Sequence, residues 1–346
     1  MDLFDNSTTS SSYIAVMTAI KTIDAFGDNI QAVVEPEGED NYRYGRTGVW
    51  KAMRHYYINT LNFPHLKHQI YNHTIELIAS KSRLSGPQVS EILDRSVKSV
   101  DGIVSDVTAV FRVRGMQPVN VTIGRISFVL PFTIYSRLMT SADNDRQLLT
   151  RFFLRYHLMG PLDGMFWSMD KRLYQLMSNT ELPTLEGFAS PLNWNLPNYC
   201  SAFKEDITLG SKGNFFDYID ILNAPARIII NPPYTELIME TCIERSLQYL
   251  KRVRGGEIIM MLPHWSDMTG IKKLKKNRNA VSKVFEHKTH LLHNYATDKV
   301  MMVKVSLIFF VITSNGNKSK KIMKSISDKM EEIVKEFLDD TVETPE

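Results

Sequence analysis

The amino-acid sequence predicts an α/β fold preceded by a mostly helical region. From about residue 180 onward, short apolar runs typical of buried strands alternate with helical segments. Before that point, apolar residues recur mainly at helical spacing. A chain of 346 residues is long enough for roughly two domains. We therefore expect a flexible tail at 1–12, a helical domain at 13–180, an α/β core at 181–314, and a linker with an amphipathic helix at 315–346.

The helical region contains two clear amphipathic segments. Residues 49–61 place large apolar side chains on one helical face, namely those of Trp50, Met53, Tyr57 and Leu61. A second helix is predicted near Pro87, which suits a first helical turn, with Ser85 as its N-cap. Residues 119–123 alternate apolar and polar side chains and predict a strand.

The α/β part is predicted to contain six strands, at residues 185–189, 198–203, 226–230, 257–262, 289–295 and 303–313. Residues 235–250 predict a helix between the third and fourth strands, with an apolar face formed by Met239, Ile243, Leu247 and Leu250. The C-terminal segment predicts an amphipathic helix with a stripe of Ile322, Ile326, Met330, Ile333 and Phe337. That stripe could bind a protein partner, but we favour docking on its own domain.

Several classes of protein are disfavoured by composition. No apolar run reaches the ~20 residues of a membrane-spanning helix, and the N-terminus does not resemble a signal peptide. The two cysteines, Cys200 and Cys242, lie in apolar contexts that indicate core positions. They supply no disulfide framework or Cys-rich zinc site, so we predict no metal and an intracellular, reducing compartment.

The charge of the chain is unevenly distributed. The net charge of +3 is too small to indicate a nucleic-acid partner. Residues 270–279, however, carry five cations and no acid: Lys272, Lys273, Lys275, Lys276 and Arg278. This segment is either a solvated basic loop or a surface that contacts phosphates.

The sequence Asn-Pro-Pro-Tyr at 231–234 follows the apolar strand predicted at 226–230. Ligands of open α/β sheets bind at the carboxyl ends of the strands. Two prolines make this loop rigid and remove two N–H groups, which leaves carbonyl oxygens as acceptors. The Asn231 side-chain oxygen and a neighbouring carbonyl can together accept both hydrogens of an exocyclic amine, and the Tyr234 ring can stack on a planar base. The alternative is a tight turn whose tyrosine packs in the core.

Asn-Pro-Pro-Tyr after a strand resembles the catalytic loop of S-adenosylmethionine-dependent methyltransferases that act on adenine amino groups. Further motifs occur in order around it: F-A-S-P-L-N at 188–193, Y-C-S-A-F at 199–203, G-S-K-G at 210–213 followed by Asp217, M-L-P-H-W at 261–265 and F-E-H at 285–287. This series resembles the phosphorylated-CTD-interacting factor family of cap-specific adenosine N6-methyltransferases. The resemblance covers about residues 148–313.

The resemblance implies a Rossmann-like class I methyltransferase core, an N-terminal helical domain and S-adenosylmethionine as cofactor. Asn231, Pro232, Pro233 and Tyr234 would bind and activate the adenine. The cofactor-binding residues expected are those of the first loop, Phe188, Ala189, Ser190, Pro191 and Asn193, and the acids Glu205, Asp206 and Asp217. Ser190 and Asn193 could hold the methionine end of the cofactor, Glu205 or Asp206 its ribose, and Asp217 its adenine. Trp265 would border the base pocket.

Three features depart from the family pattern. Animal members carry Phe where Tyr234 stands, and either ring can stack on a base. Nothing early in the chain matches the WW module of those members, so binding to the polymerase tail is not implied. His264 replaces an acidic residue, which leaves its role open. We expect an RNA adenosine as acceptor, with a DNA adenine methyltransferase or a non-catalytic partner subunit as alternatives.

Overall fold

The computed structural model describes residues 13–34, 46–82, 84–100, 109–123, 126–159, 167–294 and 299–342. The predicted tail at 1–12 lies outside these residues. The helices are α1 (Tyr13–Val34), α2 (Arg46–Asn62), α3 (Lys67–Ser82), α4 (Gly86–Val100), α5 (Phe132–Ser141), α6 (Arg146–Met159), α7 (Lys171–Met177), α8 (Phe215–Ile221), α9 (Glu236–Arg252), α10 (Thr269–Lys275) and α11 (Gly316–Val342). The strands are β1 (Val110–Arg112), β2 (Val119–Ile123), β3 (Ile126–Leu130), β4 (Trp167–Met169), β5 (Thr184–Glu186), β6 (Arg227–Ile230), β7 (Glu257–Pro263), β8 (Ala280–Phe285), β9 (Leu291–Asn294), β10 (Lys299–Met302) and β11 (Leu307–Ile312).

The described residues divide into two compact units. The first comprises Met1–Val113, Asn120–Phe128 and Ala142–Pro161, and the second comprises Arg114–Val119, Val129–Ser141 and Leu162–Glu346. The boundary that the sequence predicts at residue 180 lies inside the second unit. The reason is that α5, β4 and α7 pack with the elements that follow them: β4 pairs with β9, and α7 contacts α11.

The first unit is built from α1 to α4 with α6, and β1 and β2 form an antiparallel ladder there. Met53 and Tyr57 of the predicted α2 stripe are buried, while the Trp50 and Leu61 side chains lie outside the described residues. Ser85 caps α4 as predicted, since its Oγ accepts the backbone N–H of Gln88 at 3.4 Å, and its own backbone N–H donates to Gln88 Oε1 at 2.8 Å. The strand predicted at 119–123 coincides with β2.

A five-stranded sheet of order β5-β6-β7-β11-β8 forms the centre of the second unit. Strands β5, β6 and β7 are parallel neighbours, and β11 runs antiparallel to both β7 and β8. Strands β6, β7 and β11 are buried throughout, in agreement with sequences that are apolar except for Arg227 and Glu257 at the first positions of β6 and β7. The unit is therefore a mixed α/β structure. No helix within the described ranges is long and apolar enough to cross a membrane.

Four sequence expectations require correction in this unit. Of the strand predicted at 198–203, only a single parallel bridge between Glu186 and Tyr199 forms. Strands β4, β8 and β10 were not predicted, because their short or charged sequences lack the long apolar runs of the inner strands. The buried face of α9 consists of Ile238, Met239, Cys242, Ile243, Ser246 and Tyr249, so Leu247 and Leu250 lie at its edge.

The C-terminal segment also differs from the sequence prediction. The predicted linker is helical from Gly316, because Asn315 Oδ1 accepts the backbone N–H groups of Asn317 and Lys318. Side chains of α11 enter the same core cluster as Phe309 of the sheet and Tyr174 of α7; they are Met323, Ile326, Met330 and Ile333. The apolar stripe therefore docks on its own unit, which is the alternative that the sequence analysis favoured.

Candidate active site

The loop at 231–234 connects β6 to α9 at the carboxyl edge of the sheet. It begins where the fully buried strand ends, and Thr235 caps the helix that follows by accepting the N–H of Ile238 at 3.4 Å. The backbone N–H of Thr235 donates to Pro233 O at 2.8 Å, which closes the turn. The sequence thus forces an abrupt strand-to-helix transition at the edge where ligands of α/β sheets bind.

Tyr234 and Asn231 are joined by a hydrogen bond. The tyrosine hydroxyl donates to Asn231 Oδ1 at 3.2 Å. Both side chains are half-buried, and the Tyr234 ring packs against the core cluster, so burial raises the pKa of its hydroxyl. Oxygen Oδ1 has two lone pairs, so Asn231 can accept a second hydrogen bond while it is held by Tyr234.

The loop after β5 lies beside this turn, because β5 and β6 are parallel neighbours. The N–H of Gly187 donates to Ile229 O at 2.8 Å. A Cβ atom on Gly187 would lie 2.9 Å from the Phe215 ring, so no larger residue fits without moving that ring. Phe188 packs on Phe215 and Phe216 with centroid separations of 4.7 and 5.8 Å. The loop is therefore fixed against the first turn of α8.

Ser190 and Asn193 bond to each other. Ser190 Oγ donates to Asn193 Oδ1 at 2.7 Å and accepts the N–H of Leu192 at 3.1 Å. Both side chains are buried, with 2% and 7% of their surface exposed. This pair closes the turn that contains Pro191, and Ala189 is tied to the neighbouring segment by its N–H to Cys200 O at 2.9 Å.

The three predicted acids lie in different environments. Asp206 is fully buried in the short 3₁₀ helix Lys204–Leu209, whereas Glu205 is half-buried. Asp217 is exposed in the first turn of α8, directly after the two phenylalanines that hold Phe188. The N-cap of α8 is Asn214, whose Oδ1 accepts the N–H of Phe216 at 2.9 Å, so capping does not account for Asp217.

Trp265 follows the end of β7, the strand next to β6. Its side chain is 42% exposed, so it is not a core residue. The backbone N–H of His264 donates to Ser306 O at 2.8 Å, and its ring Nε2 lies 3.3 Å from Lys275 Nζ. The loops after β5, β6 and β7 therefore all meet at one edge of the sheet.

The predicted basic patch lies on α10 and the residues after it. All five cations are exposed: Lys272, Lys273, Lys275, Lys276 and Arg278. Lys272 Nζ lies 3.8 Å from Asp267 Oδ1, an acid just outside the segment that defined the patch. Helix α10 is held to α9 by Glu240, which accepts the N–H of Gly270 at 2.7 Å. The cations thus lie on an anchored surface.

Sequence patterns did not identify two residues that support this site, Glu186 and Arg137. Glu186 ends β5, and its Oε2 accepts the N–H groups of Asn195 and Leu196 at 2.7 and 3.0 Å. Burial raises the pKa of Glu186 to about 7, against the opposing effect of these hydrogen bonds. The only sign of this role in the sequence was the position of a carboxylate within an otherwise apolar predicted strand. Arg137 of α5 contacts the same loop from a distant part of the chain, which no local pattern could indicate.

The described residues contain no cluster of three or more His, Cys, Asp or Glu side chains that could hold a metal ion.

Cys200 and Cys242 are fully buried free thiols, as predicted from their apolar contexts.

Comparison with known proteins supports the predicted resemblance. The family model described as "Phosphorylated CTD interacting factor 1 WW domain" matches residues 133–298, just under half of the chain. Its description is at odds with our expectation that the WW module is absent. The matched residues nevertheless run through β4 to β9, including the 231–234 loop.

Among solved structures, the chain is similar to a putative methyltransferase, yhhF, from Escherichia coli. The match has 10% identity and a TM-score of 0.26, and it covers 43% of this chain and 88% of that one. A similarity this low carries no argument about function. The likeness to the phosphorylated CTD interacting factor 1 family over residues 133–298 is thus the relationship that the comparisons support.

Proposed function

We propose that this chain is an S-adenosylmethionine-dependent methyltransferase that modifies N6 of adenosine in RNA, with the cap-adjacent adenosine of mRNA as its acceptor. The observation that carries the proposal is the juxtaposition of the 231–234 loop with the glycine-containing loop after β5 at one sheet edge. The parallel strands β5, β6 and β7, with antiparallel β11 inserted before β8, support a Rossmann-like class I core. The family match over residues 133–298 supports the same assignment.

The acceptor adenine would be held by the 231–234 loop. Asn231 Oδ1 and a proline carbonyl accept the hydrogens of the exocyclic amine, and the Tyr234 ring stacks on the base. Holding the hydrogens in this way weakens conjugation of the nitrogen lone pair with the ring, so the amine becomes a better nucleophile. The base has to leave its stack to reach this loop, as in other enzymes that act on bases. Positioning then supplies most of the rate.

The residues after β5 fit the cofactor. Gly187 lets the loop pack directly against the Phe215 ring, since its position admits no Cβ, and Asp217 offers an exposed carboxylate beside the Phe188 cluster. Glu205 is the more accessible of the two acids proposed for the ribose, because Asp206 is fully buried. When bound, S-adenosylmethionine supplies a methyl group that the amine nitrogen takes up as the bond to sulfur breaks and an amine proton passes to water.

The acceptor would be guided by Trp265 and the basic patch. An exposed indole beside the sheet edge can stack on a flanking base, and the cations of α10 can neutralise phosphates. A DNA adenine or a non-catalytic role remain the alternatives to RNA methylation. They differ from the proposal in the nucleic acid that receives the methyl group and in whether the cofactor binds.

The test is a substrate panel with radiolabelled S-adenosylmethionine and four acceptors: capped RNA, uncapped RNA, single-stranded DNA and duplex DNA. We expect label in capped RNA, and Asn231→Ala should reduce it by on the order of a hundredfold. Asn223→Ala, an exposed change before the other end of β6, serves as the matched control. Label in DNA alone would show that the acceptor is a DNA adenine and not an RNA adenosine.

Absence of label from every acceptor, together with no cofactor binding by calorimetry, would refute the enzyme proposal. The matched family is named for interaction with a phosphorylated CTD, so a phosphorylated CTD peptide belongs in the binding assay. Binding of that peptide would extend the proposed partners beyond nucleic acid.

A further inference from the structure

Arg137 of α5 binds the loop after β5 through two backbone carbonyls. Its Nη2 donates to Pro191 O at 2.9 Å and to Leu192 O at 3.0 Å. These contacts join residues 54 and 55 positions apart in the chain. The loop proposed to hold the cofactor is therefore fixed by a helix that lies well before it in sequence.

The guanidinium of Arg137 is also stacked. Its Cζ lies 4.5 Å from the ring centroid of Trp194, which in turn lies parallel to Tyr199 at 5.9 Å with an interplanar angle of 8°. The Tyr199 hydroxyl donates to Leu209 O at 2.9 Å, which anchors the far end of the stack. Arginine suits this position because its planar fork can donate in its plane while its face covers an aromatic ring.

Retaining a cation here is costly. Burial lowers the pKa of Arg137, while the nearby Tyr199 and Glu186 act in the opposite direction. Its Nε is buried without a hydrogen-bond partner among the described residues. A buried donor without a partner reduces stability, so an apolar residue would serve better if packing alone mattered.

The two carbonyl contacts determine the orientation of the loop's peptide planes. In a trans peptide the C=O and N–H groups point in opposite directions. With Pro191 O and Leu192 O directed at Arg137, the N–H groups of Leu192 and Asn193 face the other way. They donate to Ser190, the first to Oγ and the second to O, both at 3.1 Å. Arg137 and Ser190 thus hold the turn from opposite sides.

We infer that Arg137 is a positioning residue for S-adenosylmethionine: by holding the carbonyls of Pro191 and Leu192, it fixes the 188–193 loop in its binding conformation. This inference rests on the proposed function, because it assigns the loop to the cofactor. It adds a specific dependence: affinity for the cofactor requires α5, which lies in the region that sequence patterns alone assign to a separate helical domain.

The test compares Arg137→Ala and Arg137→Lys with Arg252→Ala in the full-length chain. Arg252 is a matched control, since its Nη2 also donates to two backbone carbonyls, Ile219 O at 2.7 Å and Leu222 O at 3.2 Å, away from the loop. Calorimetry measures the Kd for S-adenosylmethionine, thermal unfolding measures Tm, and steady-state kinetics give KM for the cofactor and for RNA.

We expect Arg137→Ala to raise the Kd and KM for the cofactor roughly tenfold or more, as loss of hydrogen bonds from a charged group predicts. The KM for RNA should stay within about twofold of the parent value, a range that corresponds to under half a kcal/mol. Arg137→Lys keeps the positive charge and an N–H donor group but loses the planar guanidinium, and should give an intermediate Kd. Arg252→Ala should lower Tm while leaving the Kd unchanged.

A parent-like Kd for Arg137→Ala, with only its Tm reduced, would overturn the inference and leave the proposed function intact. Failure of the parent itself to bind S-adenosylmethionine would refute both. If Arg137→Ala does not fold, Arg137→Lys decides: a parent-like Kd for that variant overturns the inference, and a weakened one supports it.

Discussion

Tyr234 donates its hydroxyl hydrogen to Asn231 Oδ1 at 3.2 Å, so one residue of the candidate active site orients another. The bond holds the amide oxygen in one rotamer and leaves its second lone pair for a ligand. The tyrosine thereby has two separable contributions, a ring face and a hydroxyl.

Tyr234→Phe should retain methyl transfer at a rate roughly two- to tenfold below the parent, the cost expected for one hydrogen bond. Tyr234→Ala also loses base stacking, worth about 1–3 kcal/mol, and should be slower still. Single-turnover transfer to capped RNA separates the two effects. Equal rates for the Phe and Ala variants would contradict a stacking role for the ring.

The basic patch should control the salt dependence of RNA binding. Replacing Lys275 and Lys276 by Gln removes two exposed cations, and each lost phosphate contact should flatten the slope of log K against log salt by about 0.7 for a single strand. Lys320→Gln with Lys324→Gln on α11 removes the same charge from another exposed surface. Titrations at several salt concentrations measure the slopes. If both double variants change the slope by the same amount, the patch is an ordinary solvated surface.

Glu186→Gln should change how stability depends on pH. The unfolded carboxyl loses its proton near pH 4.5, whereas the buried one keeps it up to about pH 7. Between these values the folded state holds a proton that the unfolded state has lost, so stability falls as pH rises. The full loss is roughly 3 kcal/mol, reached above pH 7. The Gln variant should lack this decrease.

His290 acts in the opposite direction over much of the same range. Its burial lowers the pKa to about 4 from 6.5, so its contribution to stability is lost as pH falls through this window. The two effects partly cancel in the parent. The informative measurement is therefore the difference between parent and Glu186→Gln in urea unfolding from pH 4 to 8. A difference that does not vary with pH would contradict the raised pKa.

The Arg227–Glu257 pair stabilises the opposite edge of the sheet. Arg227 Nε and Nη2 lie 2.7 and 2.6 Å from Glu257 Oε2, and both side chains are buried. Glu257→Ala leaves the buried Arg227 guanidinium without a carboxylate partner, also removes the ion pair of Glu257 with Lys318, and should cost about 3–5 kcal/mol in unfolding free energy. Asp220→Ala breaks the exposed pair with Arg245, which should cost under about 1 kcal/mol. Unfolding in guanidinium chloride measures both losses. Similar losses of unfolding free energy for the two variants would contradict a larger contribution from the buried pair.

Sequence patterns predicted the inner strands and the 231–234 loop well because both are encoded locally. Apolar runs specify β6, β7 and β11, and the prolines end β6 at the edge where ligands bind. Edge strand β8 was missed because its sequence mixes polar or charged residues with apolar ones. Such a mixture is expected in an edge strand, where only one side needs to be buried.

The support beneath the site could not be predicted in this way. Arg137 contacts a loop 54 residues away, and its role depends on tertiary packing rather than on any motif. In the sequence, Glu186 is one residue of an ordinary predicted strand. Its role depends on the hydrogen bonds that the backbone N–H groups of Asn195 and Leu196 donate to its carboxylate in the folded protein. Ser190 and Asn193 suggested ligand groups by their polarity, and their mutual hydrogen bond is visible only in the folded loop.

The 231–234 loop has few backbone donors. Pro232 and Pro233 have no N–H, and the N–H of Thr235 is already donated to Pro233 O. Under the proposed function, an oxo group in place of the amine would meet the two acceptors that hold the amine, Asn231 Oδ1 and a proline carbonyl, which would weaken binding by about 1–3 kcal/mol. The loop would then discriminate adenosine from its deaminated counterpart, inosine, at the step of binding and before any methyl group moves.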